Sequence, residues 1–578
     1  MTKALIVDIE TTALPATTVW MVGTLDYQTG QIKNFLDPHN QVKEIEEWLN
    51  QYDNIIGHNF IDFDSMVLRD LLGITLDSQT ITDTLVLSRL YDPSLEDGHS
   101  LGAWGDRLKF PKGDHSDWSR LTPEMVTYCE QDLRVTSKLY EHLMEKLEPF
   151  GQDSILLEHQ VQRIISQQVK NGWFLDQKKA WDLLGILKER KMELEEEVRR
   201  HFIPLPSRVK EVTPKYKKDG SLSIVGLKFL ADNFTNVGGV FTRITFPEFN
   251  LGSRQQIGKH LQYYGWKPET FTETGQPIVD EAVLSKVRGI PEAILIAEYL
   301  LVQKRMAQVT SWVDAVEPED GRVHGYVNAI GAVTGRMTHS SPNMAQVPSS
   351  YSPYGHECRA CWIVPKGKKL VGVDASGLEL RMLAHYMDDK EYTNEVINGD
   401  IHTANRIAAG LDTRDNAKTF IYAFLYGAGD AKIGSIVGGS RRTGRELKRK
   451  FLDNTPSLMD LRERVGKASG RGHLKGLDNR KIIIRSQHAA VNSLLQSAGA
   501  IVMKKALTIL DEFATIYKID YKMVGNIHDE FQVEVEEHKA QKFGWLAVEC
   551  IKAAGIKLNL RCPLDGEYKI GDTWAETH

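Results

Sequence analysis

Two short apolar runs, far apart in the chain, each end at a carboxylate. Residues 4–7 (ALIV) lead to Asp8, and residues 369–373 (KLVGV) lead to Asp374. Runs of this length and composition predict buried strands. Because an acid does not belong in an apolar core, each carboxylate is expected at the tip of its strand, where a site can form. The chain is therefore predicted to contain sheets with functional carboxylates at the ends of their strands.

Length and composition predict a multidomain globular protein. At about 150 residues per domain, the 578 residues correspond to three or four domains. The 42% hydrophobic and 26% charged residues are typical of a globular chain, and the longest apolar runs are strand-sized, so no membrane span is expected. Five cysteines, an odd number, argue against a disulfide framework and favour the cytoplasm. The Cys358–Cys361 pair lacks the second pair that a zinc site needs and is interpreted as structural.

One short segment is strongly basic although the net charge of the chain is −6. Its basic residues are Arg441, Arg442, Arg445, Lys448, Arg449 and Lys450, against the single acid Glu446. A polymer of phosphates needs only such a local track. Taken alone, however, we interpret the segment as a solvated helix face.

The N-terminal run belongs to a set of four separated acids. Asp8 and Glu10 are two residues apart in a predicted strand and therefore share a face. A second strand, NIIGHN, leads to Asp64, although Asp62 lies on the same side and could take its place. Asp132 follows on a helix predicted over 124–147, one turn after Tyr128 and on the same face. Clustered carboxylates can hold two divalent ions about 4 Å apart for phosphoryl chemistry.

Asp374 has a distant partner of the same kind. The runs KMVGNI and FQVEV predict two strands joined through His528, Asp529 and Glu530, which places Asp529 in a hairpin turn. Asp374 and Asp529 can converge only if their strands share one sheet. Acids at strand ends are also common on plain surfaces.

The helix between these two acids carries a regular pattern. In TRDNAKTFIYAFLYG, Thr413 is a suitable N-cap and Gly427 a stop. Arg414, Lys418, Tyr422 and Tyr426 recur every four residues and line one face. Two cations suit a triphosphate, and two rings suit a sugar and base. The alternative is a solvated charged face that runs into core aromatics.

The N-terminal motifs resemble those of a nuclease family. DIET from Asp8, NxxxFD from Asn59 and YxxxD from Tyr128 are similar to the three motifs of the DEDD exonuclease superfamily, in the variant with Tyr. The resemblance favours Asp64 over Asp62. It implies that Asp8, Glu10, Asp64 and Asp132 hold two metals and that Tyr128 orients the attacking water.

The remaining motifs resemble family A DNA polymerases, most closely the short replicative polymerases of T-seven-like podoviruses. They are TGR at 334–336, PNMAQVP at 342–348, DASGLELR at 374–381, GDIHT at 399–403, the RxxxKxxxYxxxYG helix, NSLLQ at 492–496 and HDE at 528–530. Together with the exonuclease motifs they cover nearly the whole chain.

This resemblance implies roles for individual residues. The metal-binding and catalytic residues are Asp374, Asp529, Glu530 and Lys418. The residues that bind the deoxynucleotide are Arg414, Lys418, Tyr422, His402 and Glu379, of which Glu379 blocks a ribose 2′-hydroxyl. The residues that contact DNA are Arg336, Asn492, Gln496, His528 and Tyr426. Two Mg²⁺ ions are implied at each site.

The implied fold is an α/β and α+β multidomain one. An RNase H-like exonuclease domain is followed by a right-hand polymerase with a thumb, a palm with an antiparallel sheet, and helical fingers. The expected bounds are 1–150 for the exonuclease, 151–318 for the thumb with an insertion at about 204–246, 319–400 and 488–578 for the palm, and 401–487 for the fingers.

The implied function is template-directed DNA synthesis with 3′ to 5′ proofreading, in a phage replicase that works in the host bacterial cytoplasm. Primer–template DNA is the implied partner. The insertion stands where a phage relative binds host thioredoxin, and although it departs from that pattern, a thioredoxin-like processivity factor is a candidate partner, as is a replicative helicase. Two rival hypotheses are a dedicated nuclease and a binding protein without catalysis.

Overall fold

The computed structural model describes residues 3–223 and 239–578. It divides into two compact units, Met1–Leu175 with Ala315–His578, and Asp176–Asp314. Part of the insertion predicted at about 204–246, namely 224–238, lies outside the described residues.

The first unit begins with a five-stranded mixed sheet of order β3-β2-β1-β4-β5. The strands are β1 Ala4–Thr11, β2 Val19–Asp26, β3 Ile32–Phe35, β4 Asn54–Gly57 and β5 Thr80–Asp83. β1 is antiparallel to β2 and parallel to β4, and its apolar residues are buried. The predicted strand before Asp8 is therefore the centre of a sheet.

Six helices accompany this sheet. They are α1 Val42–Leu49, α2 Asp64–Leu72, α3 Thr84–Tyr91, α4 Leu101–Arg107, α5 Pro123–Leu147 and α6 Asp153–Asn171. The hydroxyl oxygen of Thr122 accepts from the backbone N–H of Met125 at 3.2 Å and caps α5. The helix predicted over 124–147 is confirmed to within one residue.

A four-stranded antiparallel sheet, of order β16-β17-β13-β18, forms the second half of this unit. Its strands are β13 Lys368–Ala375, β16 Tyr521–Ile527, β17 Glu530–Glu536 and β18 Gly566–Gly571. β17 pairs with both β13 and β16. The expectation that the strands flanking Asp374 and Asp529 share a sheet is confirmed.

The remaining strands of this unit are short. They are β6 Trp173–Leu175, β9 Arg322–Val323 and β12 Trp362–Ile363 in one three-stranded sheet, and the pairs β10 Tyr326–Asn328 with β11 Thr338–Ser340 and β14 His473–Lys475 with β15 Lys481–Ile483.

Ten helices belong to the same half. They are α11 Gly355–Ala360, α12 Leu378–Met387, α13 Lys390–Asn398, α14 Ile401–Ala409, α15 Arg414–Leu425, α16 Asp430–Ser435, α17 Arg441–Asp453, α18 Pro456–Ser469, α19 Ala490–Ile516 and α20 Ala540–Lys557. The helical segment Gln487–Ile516 is long and apolar enough to cross a membrane, but 83% of its apolar window is buried inside the protein. It therefore serves as a core helix, packed in a cluster that extends from α5 and α6 to the antiparallel sheet.

The described part of the second unit contains helices of very different length. They are α7 Gln177–His201, α8 Arg254–Tyr263, α9 Glu281–Leu284 and α10 Glu292–Asp314, with the hairpin β7 Ser207–Val212 and β8 Phe241–Thr245. Arg190 joins α7 to α10 through Glu298, with Nε 2.8 Å from Oε1.

Candidate active sites

The N-terminal acids gather around β1. Asp8 and Glu10 lie on this strand, and Glu10 is buried. Asp64 begins α2, and its Oδ1 accepts a hydrogen bond from the backbone N–H of Ile9 at 3.1 Å. Because Ile9 stands between the first two acids, this bond brings the third carboxylate to the strand that carries them.

Helix α5 supplies the fourth acid. Asp132 is buried, and its Oδ2 lies 2.7 Å from Lys112 Nζ. Lys112 Nζ also lies 4.7 Å from the ring centroid of Tyr128, one turn earlier on α5. Cys129 Sγ lies 3.6 Å from Asp8 Oδ2, which ties α5 to β1. We call Asp8, Glu10, Asp64 and Asp132 the N-terminal carboxylate site.

The alternative acid Asp62 is engaged elsewhere. Its two carboxylate oxygens accept hydrogen bonds from Gln162 Nε2 at 2.8 Å and 3.0 Å. Gln162 lies on α6, whereas Asp64 contacts β1. The geometry thus favours Asp64.

The carboxylates of this site repel one another. Burial, followed by the charge of Asp132, raises the pKa of Asp8 to about 7. Burial, followed by the charge of Asp8, raises the pKa of Glu10 to about 9. Burial also raises the pKa of Asp64 and of Asp132 above the ordinary value, although Lys112 opposes the shift at Asp132.

These residues fit a divalent cation. Glu10 Oε1 and Asp132 Oδ1 are buried and have no hydrogen-bond partner within residues 3–223 and 239–578. One ligand atom each from Asp8, Glu10 and Cys129 lies within 4.8 Å of the others. Buried, mutually repelling carboxylates with free lone pairs are suitable ligands for a hard cation.

The second set of acids meets at the end of the antiparallel sheet. Asp374 on β13 stands in register with Glu530 at the start of β17. Asp529 lies in the turn before Glu530, and its carbonyl oxygen accepts from the backbone N–H of Ala375 at 3.0 Å. Backbone pairing therefore brings both predicted acids to one edge. We call Asp374, Asp529 and Glu530 the C-terminal carboxylate site.

Electrostatics confirm that these acids are neighbours. Burial, followed by the charges of Asp529 and Glu530, raises the pKa of Asp374 to about 7. Burial raises the pKa of Asp529 as well. Two half-buried acids at the end of one sheet, where the charge of Asp529 raises the pKa of Asp374, can share a cation.

Glu530 differs from the other two acids because both oxygens of its carboxylate have close polar partners. Gln532 Nε2 lies 2.5 Å and Trp574 Nε1 2.8 Å from Oε1, and His578 Nδ1 lies 2.8 Å from Oε2. Burial raises the pKa of Glu530, but the hydrogen bond and charge of His578 outweigh burial and leave that pKa below its ordinary value. Glu530 therefore stays ionised, and its donors fix its carboxylate at the position paired with Asp374.

Helix α15 presents its cations near this site. Thr413 caps the helix, since its Oγ1 accepts from the backbone N–H of Asn416 at 3.1 Å. Arg414 Nε lies 2.8 Å from Asp400 Oδ2, and Asp400 also caps α14. Lys418 is exposed one turn later.

His402 and Tyr422 complete this cluster. Their ring centroids are 6.2 Å apart. Burial, followed by the charges of Arg414 and Lys418, lowers the pKa of His402, so its ring is neutral at pH 7. Burial and then the charges of Glu379, Asp529 and Asp374 raise the pKa of Tyr422.

A second cluster of predicted site residues forms around Glu379. Tyr426, at the end of α15, contacts Glu379 on α12, and Arg336 Nη2 lies 3.0 Å from Glu379 Oε1. His528 lies in the turn before Asp529, and burial followed by the charge of Arg336 lowers its pKa. These residues and the acids share one region.

The remaining two predicted residues stand apart. Asn492 and Gln496 are half-buried, four residues apart, in the first turns of α19. In the described part of the chain, no hydrogen bond joins either side chain to the other predicted site residues.

Sequence reasoning missed several residues of these sites. Cys129 follows Tyr128 and lies three residues before Asp132, a spacing that could have placed it on the same face of α5. Lys112 lies in a loop, and Trp574 and His578 lie near the C-terminus, without a motif that points to the carboxylates they contact.

Comparison with known protein families agrees with this geometry. The family model described as DNA polymerase family A matches residues 230–576. A model described as RNase_H superfamily matches residues 5–98, which contain the mixed sheet.

Full-length relatives and a solved structure agree as well. A DNA-directed DNA polymerase of Escherichia phage T7 is 36% identical and covers 99% of both chains. One of Enterobacteria phage T3 is 35% identical and covers 96% of this chain and 95% of its own. The fold is similar to the POL domain of Pol1 from M. smegmatis in complex with DNA primer-template and dNTP, with a TM-score of 0.79, 18% identity, and coverage of 100% of this chain and 96% of that one. The chain thus belongs to DNA polymerase family A and is a DNA-directed DNA polymerase with an RNase H-like domain at its N-terminus.

Proposed function

We propose that this polymerase extends a primer at the C-terminal carboxylate site and proofreads the same 3′ end at the N-terminal carboxylate site. The observation that carries the proposal is that carboxylates converge in two places, around β1 and at the end of β13, and that Tyr426 of the α15 segment contacts Glu379 on α12, the helix that follows Asp374. Synthesis needs a triphosphate site next to its acids, whereas hydrolysis does not.

Each site would bind two Mg²⁺ ions, consistent with the use of divalent metals by family A polymerases. Asp374 and Asp529 would hold the pair for synthesis, and the N-terminal carboxylate site would hold the other pair. Bound there, the metals would supply the positive charge that activates the attacking oxygen and stabilises the leaving one.

The residues of α15 act on the nucleotide. Arg414 and Lys418 bind the triphosphate of the incoming dNTP and offset the charge that develops on the leaving pyrophosphate. Arg414 must exchange its ion pair with Asp400 for phosphate, which couples nucleotide binding to the N-terminus of α14. His402, whose pKa is lowered by burial and then by the nearby cations, donates a hydrogen bond to phosphate.

Other residues select the nucleotide and contact DNA. Tyr422 packs against the incoming sugar and base, and Glu379 occupies the space that a ribose 2′-hydroxyl would need. Tyr426 lies beside the templating base. Arg336, His528, Asn492 and Gln496 contact the primer end on its minor-groove side, where correct pairs present similar acceptors.

The N-terminal carboxylate site acts on an unpaired 3′ end. A mispaired terminus stacks poorly and separates from the template, so it can enter as a single strand. Tyr128 orients water against the terminal phosphodiester. Lys112 orients both Tyr128 and Asp132, since it contacts both.

The domain assignment is part of the proposal. Residues 1–150 form the exonuclease, 151–318 the thumb, 319–400 with 488–578 the palm, and 401–487 the fingers. The compact unit Asp176–Asp314 falls within the proposed thumb. Primer–template DNA is the substrate, while a processivity factor at 204–246 and a helicase stay predictions.

A primer whose last base is mispaired tests both activities together. With Mg²⁺ and four dNTPs, the wild-type protein should shorten the primer by at least one nucleotide and then extend it to full length. Without dNTPs it should only shorten it. A dedicated nuclease would never produce the full-length strand, and a binding protein without catalysis would leave the primer unchanged.

A further inference from the structure

Helix α17 carries the basic track, which the proposed sites do not use. Arg441, Arg445 and Arg449 recur every four residues, about 6 Å apart along the helix axis. All three are exposed, while Gly444 and Phe451 face the interior. We call Arg441, Arg445 and Arg449 the arginine ridge.

The ridge is only partly neutralised. Arg445 Nε lies 3.4 Å from Asp430 Oδ2, a carboxylate that Lys448 also approaches at 3.2 Å. Within the described ranges 3–223 and 239–578, no ion pair joins Arg441 or Arg449 to an acid. A chain with a net charge of −6 thus exposes two unpaired guanidinium groups on one helix.

The neighbouring helix α18 shows the ordinary arrangement. Arg464 Nε lies 2.7 Å from Asp460 Oδ2, and Lys467 Nζ lies 2.6 Å from Glu463 Oε1. Both cations are exposed and both are paired within their own helix. Arg462, the third cation of α18, lies over the ring of Phe424, and α17 contains one ion pair of the same kind, Arg442 with Glu446. In the described part of the chain, Arg441 and Arg449 have neither kind of partner.

The ridge is fixed to the polymerase site. Lys448 Nζ donates to the carbonyl oxygen of Ala428 at 2.5 Å, and Ala428 lies two residues after Tyr426. Helix α16 packs closely on α17, because a Cβ at Gly444 would collide with the carbonyl oxygen of Asp430. The backbone that follows Tyr426 and the basic helix therefore pack directly against each other.

We propose that the arginine ridge binds the phosphodiester backbone of the unpaired template strand that has not yet been copied. The inference rests on the proposed function, in which Tyr426 lies beside the templating base, two residues before the Ala428 that Lys448 contacts. A guanidinium group binds phosphate through paired hydrogen bonds. Backbone contacts read no sequence, as copying an arbitrary template requires.

An acidic protein segment is the other occupant that the charge of the ridge would accept. The contact between α17 and the segment after Tyr426 favours the template. A protein partner would not need to bind at a fixed distance from the templating base. The two occupants differ in a measurable way, since only a template contact depends on the length of the single-stranded overhang.

Binding of two primer–templates tests the proposal. Both share one duplex, and their 5′ template overhangs are 2 or 12 nucleotides long. Dissociation constants are measured in EDTA, so that no turnover occurs, over a series of salt concentrations. The variants are Arg441→Gln/Arg449→Gln, the charge-preserving Arg441→Lys/Arg449→Lys, and the matched control Arg464→Gln/Lys467→Gln, whose cations are already paired.

We expect the wild-type protein to bind the long overhang more tightly than the short one. The Gln variant should lose this difference, and its salt slope on the long overhang should fall by about 1.4, or about 0.7 per phosphate contact. The Lys variant and the α18 control should keep both the preference for the long overhang and the wild-type salt slope. Equal affinity of the wild type for the two overhangs, or an unchanged slope in the Gln variant, would overturn the proposal and leave an acidic protein as the occupant.

Failure of the arginine-ridge proposal can be distinguished from failure of the proposed polymerase function. If the wild-type protein failed to extend a primer with the 2-nucleotide overhang, the polymerase assignment would fail first. If extension is intact and only the overhang effect is absent, the arginine ridge alone has been assigned wrongly.

Discussion

The hydroxyl of Tyr426 lies 2.6 Å and 2.7 Å from the two carboxylate oxygens of Glu379. These bonds, together with Arg336 at 3.0 Å, join the end of α15 to α12 and fix the position of the Glu379 side chain. A fixed carboxylate can exclude a substituent by occupying its space, whereas a mobile one would move aside.

Replacing Glu379 by Ala should therefore relax the exclusion of ribonucleotides. Removing a steric conflict of about 1–3 kcal/mol raises the efficiency ratio of ribonucleotide to deoxynucleotide by about 5- to 150-fold. Single-turnover insertion of each nucleotide measures the ratio. Glu379→Gln is the control, since it keeps the volume and should keep most of the exclusion. An unchanged ratio in the Ala variant would refute this role.

Tyr422 should determine how well a nucleotide without a 3′-hydroxyl is used. In the proposed function its phenolic hydroxyl lies beside the incoming sugar, where it can replace the interaction that a dideoxynucleotide lacks. Tyr422→Phe removes a hydrogen bond near charged groups, worth about 1.5–3 kcal/mol, so dideoxynucleotide discrimination should rise about 10-fold or more. Equal discrimination by the two proteins would contradict the assignment, and unchanged dNTP insertion controls for misfolding.

The N-terminal carboxylate site should make stability depend on pH when metal is removed. The folded-state pKa of Glu10 is about 9 and that of Asp8 about 7, both above the values of an unfolded chain. The folded state then binds more protons, so the free energy of unfolding falls as pH rises from about 4 to about 9. In EDTA, the Tm should decrease over this window more than it does in Asp8→Asn/Glu10→Gln.

Adding Mg²⁺ at pH 8 should raise the Tm of the wild-type protein more than that of the same variant, because the cation relieves the repulsion. A wild-type Tm that responds to pH and to Mg²⁺ as the variant does would show that these carboxylates do not share a cation site.

A buried ion network that includes none of the proposed site residues should matter for stability. Glu158 on α6 is fully buried, with Arg480 Nη1 2.5 Å and Lys504 Nζ 2.7 Å from its Oε1. Glu158→Ala would leave Lys504 without its acid and Arg480 with Asp478 alone, and should lower the free energy of unfolding by about 3–5 kcal/mol. Asp460→Ala, which breaks an exposed pair, should cost about 0–1 kcal/mol. Denaturant titration compares them, and equal losses would contradict this view.

The sequence predicts well those features that depend on local order. The strand before Asp8, the helix that carries Tyr128 and Asp132, and the turn at Asp529 follow from periodicity and capping, which act over a few residues. That these segments come together in space could be expected only from the family motifs. No rule that acts over a few residues pairs β13 with β17.

Contacts between distant segments escape prediction for the same reason. Lys112 reaches Asp132 from a loop, and His578 reaches Glu530 from the end of the chain. The network around Glu158 unites residues that are 322 and 346 positions apart. Such pairs depend on how whole elements pack, and a single sequence carries no periodic signal for them.

The most direct test measures primer extension and primer degradation in parallel for two variants. Asp529→Asn should lose extension by about a hundred-fold or more while still degrading single-stranded primer, and Asp8→Asn/Glu10→Gln should do the reverse. Circular dichroism verifies that both fold. If either folded variant lost both activities, or if neither lost one, the assignment of two separate phosphoryl-transfer sites would be wrong.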